Sequence, residues 1–365
     1  MTPASWTRVP WTTAGPLLAL VVLAATWGRS LPSVVVVLVA VVLAVAVLSA
    51  VHHAEVIAHR VGEPFGSLVL AVAVTVIEVA LIITLMVSGG AETASLARDT
   101  VFAAVMITCN GIMGLSLLAS AVRHGIALFN AEGTGAALAT VATLSTLSLV
   151  LPTFTTSRPG PEFSPGQLAF AAVASLVLYG AFVLTQTVRH RDFFLPVTSR
   201  GAVVEVEEHA DPPTDRQAAA SGALLLAALV AVVGLAKVES PAIESGVEAA
   251  GFPASFVGVV IALLVLLPET LAATRNALRD RVQTSLNLAL GSALASIGLT
   301  IPAIALASVW LEGPLLLGLG ATQMVLLALT VAVSSLTVVP GRATRLQGTV
   351  HLVIFAAFVF LAINP

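Results

Sequence analysis

The chain has 365 residues, 58% of them hydrophobic and 10% charged, with a mean hydropathy of +1.03 and a net charge of −3. Soluble domains carry about 25% charged residues, so this composition excludes a soluble globular protein and points to one embedded in a membrane. The small net charge and the lack of a basic stripe argue against a nucleic-acid partner, and the single cysteine, Cys109, reads as a small buried hydrophobe.

Apolar runs predict eleven spans, near residues 13–27, 32–51, 65–88, 100–121, 135–152, 167–188, 218–237, 254–274, 283–308, 315–338 and 347–363. The first is short; one Arg precedes it and no small-residue cleavage site follows, so it reads as a span and not a removed signal peptide. Gly and Pro mark most of the breaks, as at Pro159-Gly160-Pro161 and Gly313-Pro314. Twelve arginines, among them Arg60, Arg123, Arg216, Arg279 and Arg345, fall on the N-terminal side, against Arg29, Arg98, Arg158 and Lys237 on the other. That asymmetry places the N-terminus in the cytoplasm and the C-terminus outside. The stretch 189–217 is polar and carries Glu205, Glu207, Glu208, His209, Asp211 and Asp215 with Pro212-Pro213. It reads as a solvated linker; the alternative is a cation sensor, since clustered carboxylates attract divalent ions. The expected organisation is an extra N-terminal helix (1–31), a five-helix half (32–188), the acidic cytoplasmic linker (189–217) and a second five-helix half (218–365). An odd number of spans per half inverts the second copy, a plan in which substrate sites form near the bilayer midplane where the halves meet.

Glu78 is the only ionisable side chain between Phe65 and Val87. A charge at that depth costs about 2.5–3.5 kcal/mol on insertion scales, which argues against a bystander. The figure recurs: the repeat at about 54–118 has its counterpart at about 247–302, where Glu269 takes the matching place. Each copy runs acid, small residues, Gly, an apolar half-helix with a second Gly, then a lone Glu. Hard cations are held by oxygen, and two carboxylates match one Ca²⁺ or two protons. Protons would then replace a departing metal, as an antiporter requires. The alternative, two protonated glutamates bonded to backbone carbonyls, gives no reason for the recurrence.

Neutral oxygens are expected beside the pair. Thr75 lies one turn before Glu78 on the same face. Near Glu269, Thr270 offers a hydroxyl and Pro268 frees backbone carbonyls. The following spans add Asn110 in Thr108-Cys109-Asn110-Gly111, and Asn287, Ser292 and Ser296 around a Gly291–Gly298 run. Small residues in that run also allow close helix packing, which is the competing reading for Gly291, Ser292 and Ser296. His52, Glu55 and His59 share a helix face, either a metal or proton-relay triplet or an interfacial polar face; HHAEVIAH lacks the H-E-x-x-H order of a zinc protease. Glu63 either guards a cytoplasmic mouth or begins a helix, and His351 is expected at the interface. No phosphate loop and no Ser/His/Asp constellation supports ATP-driven pumping or enzymatic catalysis, and no cofactor is implied.

The paired segments, with GEPFGSLVLAVAVTVIEVALI and PETLAATRNALRDRVQTSLNLALGSALASIGLTIP, resemble the α-repeats of the cation/calcium exchanger superfamily, and in particular the bacterial ChaA-type calcium/proton antiporters. The resemblance covers nearly the whole chain. It implies an all-α polytopic fold of ten core helices in two inverted halves plus an extra helix. It also implies exchange of Ca²⁺, and in this branch Na⁺ or K⁺, for H⁺, with Glu78 and Glu269 as the acidic ligands. Two departures stand out: the superfamily's first-repeat Pro-Glu is Ile77-Glu78 here, and its Gly-Ser-Asn is replaced by Cys109-Asn110 and Gly291-Ser292-Ala293. The expectation is a secondary-active antiporter in a bacterial inner membrane, with the lipid bilayer and small cations as its partners. The rivals are a Na⁺/Ca²⁺ exchanger and, from other classes, a membrane enzyme or a passive cation channel.

Overall fold

The computed structural model describes residues 10–29, 31–62, 65–89, 93–197, 213–310 and 313–365. Helices dominate: α1 (Trp11–Thr26), α2 (Ser33–Val61), α3 (Phe65–Gly89), α4 (Leu96–Met106), α5 (Met113–His124), α6 (Ala131–Ser145), α7 (Leu151–Phe154) and α8 (Pro165–Leu184) precede the linker. After it come α9 (Asp215–Ala249), α10 (Phe256–Val265), α11 (Leu267–Leu278), α12 (Val282–Ala307), α13 (Ala321–Val338) and α14 (Arg345–Ile363). Among the described residues nine helical stretches are long and apolar enough to cross a membrane, or ten if α10 and α11, bent by 54°, form one span; α1 is a shorter apolar helix. The predicted apolar runs overlap these elements, but the run at 254–274 is divided between α10 and α11 and the one at 315–338 is helical only from Ala321.

Two helices outrun their predicted spans. Hydropathy ends α2 near residue 51, but HHAEVIAHRV contains no Gly or Pro, so the backbone ladder continues until Gly62 (φ 73°), whose N–H bonds the Ala58 carbonyl at 2.9 Å. Likewise α9 runs 35 residues, past Lys237 and through Pro241. Apolar length marks where a helix is greasy, and helix-breaking chemistry marks where it stops.

The chain forms two compact units, one from Met1–Ile77 and Asp211–Ala242, the other from Glu78–Ala210 and Ile243–Pro365. In the first, α1 packs on α2 with Gly15 against Ser49, where an added Cβ would lie 2.6 Å from the Ser49 hydroxyl. Gly234 of α9 is covered in the same way by Leu23 of α1. Pro16 has no N–H, which leaves the Thr12 carbonyl without its helical partner. His53, buried on α2, fills that gap with Nε2 at 2.9 Å, and its Nδ1 meets Ser221 Oγ at 3.2 Å. A carbonyl only accepts, so Nε2 carries the hydrogen and Ser221 donates to Nδ1. Arg60 pairs with Asp215, and the Lys237 ammonium lies 5.4 Å from the Trp27 ring centroid.

In the second unit α4 and α5 are joined through a π-helical turn, Ile107–Ile112, into one run, and α12 packs against α5, α6, α8 and α11. Glycines set the closest approaches: a Cβ at Gly298 would lie 2.8 Å from Tyr179 Cβ, and one at Gly348 would lie 2.6 Å from the Leu118 backbone nitrogen. At one end of this unit the two-residue strands Ala127–Leu128 and Arg342–Ala343 pair antiparallel. Elsewhere the irregular stretch 313–320 is stitched in by backbone bonds from Leu316 to Ala94, Gly318 to Pro161 and Leu319 to Leu149. Arg98 adds a bond to the Gly318 carbonyl and Thr153 one to Leu319. These bonds satisfy a backbone that has no ladder of its own.

Candidate functional site

Glu78 lies just past the middle of α3 and is 5% exposed. Its Oε1 accepts a hydrogen bond from Ser296 Oγ of α12 at 2.6 Å, across 218 residues of sequence. A short bond to a carboxyl oxygen is among the strong ones, and it partly replaces the water the acid gives up on burial. Thr300 lies one turn beyond Ser296 on the same face and is also buried. Packing is thus not the whole use of the small-residue run. Gly298 is the close-packing position, Gly291 has open space where a Cβ would be, and Ser296 serves the acid.

Glu269 sits in the first turn of α11, immediately after the break at Leu266, with Pro268 beside it. The bend leaves a half-helix whose N-terminal N–H groups face this turn, a place where a carboxylate is stabilised. Glu269 is half-buried. Thr270 donates to the Leu266 carbonyl at 2.7 Å, and Thr75 to the Ala71 carbonyl at 2.8 Å, so both hydroxyl protons are spent on their own helices while the oxygens keep lone pairs.

Asn110 lies in the π turn, fully buried, with Nδ2 bonded to Thr330 Oγ1 at 2.9 Å and Oδ1 3.3 Å from His351 Nδ1. Cys109 beside it is a buried free thiol. Asn287 donates to the Phe194 carbonyl at 2.7 Å and accepts from Gln283 at 2.9 Å; Gln283 in turn accepts from the Asn130 backbone. Its amide therefore clasps α12 to the short helical turn Arg191–Phe194. Ser292 is half-buried.

His351 is enclosed within the protein: it is 0% exposed, because Gly114 and Gly348 bring α5 and α14 close enough to cover it. His52 is half-buried, and Glu55 and His59 are exposed. Among the described residues no group of three His, Cys, Asp or Glu side chains is placed to hold a metal. Glu63 and the linker acids Glu205, Glu207 and Glu208 lie outside the described residues. Asp99 is a buried acid that the sequence reading passed over. Arg98 Nε and Nη2 reach it at 2.8 Å, Ser95 donates at 2.8 Å, and it lines a cavity of about 330 Å³ together with Glu244 and Glu248. The signal was available, since Arg98-Asp99 recurs as Arg279-Asp280 before α12.

The family model described as sodium/calcium exchanger protein matches residues 31–188 and 220–364. The chain belongs to this family. It is a transporter of the cation/calcium exchanger superfamily, a multi-pass membrane protein and not an enzyme. Over 362 residues it is 47% identical to a putative ionic transporter, y4hA, of Sinorhizobium fredii, covering 97% of this chain and 96% of that one. It is 34% identical over 347 residues to the sodium-potassium/proton antiporter ChaA of Escherichia coli, covering 94% and 93%. Among solved structures it is similar to the H⁺/Ca²⁺ exchanger CAX, with a TM-score of 0.71 over 96% of this chain and 86% of that one at 16% identity, which speaks for the fold alone.

Proposed function

We propose that this exchanger moves Ca²⁺ out of the cell in exchange for H⁺, by alternating access around Glu78 and Glu269 as the shared cation- and proton-binding carboxylates. The observation that carries this reading is Glu78. It is a buried acid on an apolar helix from the first half of the chain, bonded at 2.6 Å to Ser296 from the second half. Glu269, at the head of a broken helix, supplies the second charge. The Arg-Asp dipeptide that recurs at 98–99 and 279–280 supports the two-repeat plan. The arginine asymmetry supports an N-terminus in the cytoplasm of a bacterial inner membrane. Thr75, Thr270, Asn110, Ser292 and Ser296 are the neutral oxygens available to the two repeats, Asn287 is held as a clasp on Phe194 and Gln283, and the acidic linker serves as a spacer.

A second reading, in which Na⁺ and K⁺ are the principal cargo, is favoured by the 34% identity to an antiporter named for those ions. One carboxylate can then stay protonated while the other neutralises the monovalent ion. Everted membrane vesicles loaded with a pH-sensitive dye test both. Each cation, added separately, should collapse an imposed proton gradient, and Glu78→Gln or Glu269→Gln should abolish the response while the protein still inserts. Normal exchange in either mutant would remove the two-carboxylate mechanism.

A further inference from the structure

The buried polar chain around His351 is not explained by a two-carboxylate site. It crosses three elements: Thr337 and Thr330 on α13, His351 on α14 and Asn110 in the π turn, all at most 3% exposed. His351 Nε2 lies 3.2 Å from Thr337 Oγ1 and Nδ1 lies 3.3 Å from Asn110 Oδ1. Asn110 Nδ2 donates to Thr330 Oγ1 at 2.9 Å, and the Thr330 hydroxyl donates to Met106 Sδ at 3.5 Å. The chain has one polarity. A thioether sulfur only accepts, so Thr330 spends its hydrogen on Met106 and accepts from the amide. The amide oxygen then faces His351, whose Nδ1 must carry the hydrogen, leaving Nε2 to accept from Thr337. The π turn carries an extra backbone residue, a feature found often at functional positions. Both α11, which carries Glu269 in its first turn, and α12, which carries Ser296, pack against it.

We propose that His351 is a positioning residue for cation transport: its Nδ1–H bond fixes the Asn110 amide and, with it, the π turn against which α11, carrying Glu269, and α12, carrying Ser296, pack. The proposal rests on the reading that Glu78 and Glu269 form the transport site. Its prediction separates the two ring nitrogens. In His351→Asn the side-chain amide nitrogen takes the place of Nδ1 and keeps the bond to Asn110. In His351→Gln the side-chain amide oxygen takes the place of Nε2 and keeps only the bond donated by Thr337. Each variant loses one buried hydrogen bond, so a purely structural role predicts the same loss from both.

Apparent KM for Ca²⁺ and Na⁺ is measured in proteoliposomes for His351→Asn, His351→Gln, Thr337→Val and Asn110→Ala, with thermal unfolding of each purified variant alongside. The expected result is a KM in His351→Gln and Asn110→Ala about tenfold above that of His351→Asn, with Thr337→Val grouping with His351→Asn. Equal KM values for the Asn and Gln variants would overturn the proposal, as would a normal KM in Asn110→Ala. If Glu78→Gln still abolishes exchange in the same preparation, only the positioning role falls. If Glu78→Gln exchanges normally, the carboxylate reading falls with it.

Discussion

Replacing Ser296 by alanine removes the 2.6 Å hydrogen bond on the Glu78 carboxyl group, while the Thr300 hydroxyl stays beside it, and the geometry bounds the size of the effect. The bond is 2.6 Å long, links two side chains that are 3% and 5% exposed, and ends on an ionisable oxygen. Hydrogen bonds to charged groups contribute about 1.5–3 kcal/mol. At about 1.4 kcal/mol per tenfold, that corresponds to roughly 10- to 150-fold in the equilibrium that favours the ionised acid. A cation binds only the ionised form, so Ser296→Ala should raise the apparent KM for Ca²⁺ by at least about tenfold, while Ser296→Thr keeps a hydroxyl at the same place and recovers most of it. The assay is cation-driven proton movement in proteoliposomes at fixed pH, with thermal unfolding measured on the same preparations. A double-mutant cycle with Glu78→Gln isolates the pair, because the hydroxyl then meets a neutral amide and its removal costs less. If Ser296→Ala is folded and its KM stays within twofold of the parent, the Ser296–Glu78 bond has no part in cation binding.

Three further outcomes follow from particular contacts. Asn287→Ala should lower unfolding stability by about 1–3 kcal/mol, because the Phe194 carbonyl and the Gln283 amide lose their partner, and should leave the cation KM unchanged; a raised KM with unchanged stability would make Asn287 a ligand instead of a clasp. Gly348→Ala places a Cβ 2.6 Å from the Leu118 backbone nitrogen, where no side chain can rotate away, and should cost about 1–3 kcal/mol in thermal unfolding. Asp215→Asn breaks an exposed pair with Arg60 and should change stability by no more than about 1 kcal/mol.

The fold class was legible because a bilayer demands about 20 apolar residues per helix, and hydropathy measures that directly. Glu78 was legible for the converse reason, a single charge in such a run, and Ser296 because its hydroxyl recurs on the face of a small-residue helix. The helix ends were not: α2 and α9 continue into polar sequence that helices tolerate, and only a breaker such as Gly62 stops them. The burial of His351 was not legible, because its position near the start of a span says nothing of what covers it. The clue to its burial was spread over three segments: Gly348 one turn before it, Gly114 on another helix, and Thr330 and Thr337 two turns apart on one face of α13. The same holds for the Gln283–Asn130 bond, which joins residues 153 apart. Pairings of that range are set by packing, and a linear pattern carries no trace of them.

The shared-site mechanism is tested most directly by counting the protons that the purified protein releases when a cation binds. Metal ligands must lose their protons before they bind, so Ca²⁺ affinity must weaken as pH falls. Release should approach about two protons per Ca²⁺ and fewer per Na⁺, since a monovalent ion leaves one carboxyl protonated. Glu269→Gln should cut the Ca²⁺ count by about one. Ca²⁺ binding with no proton release, or a release unchanged in Glu269→Gln, would contradict the account.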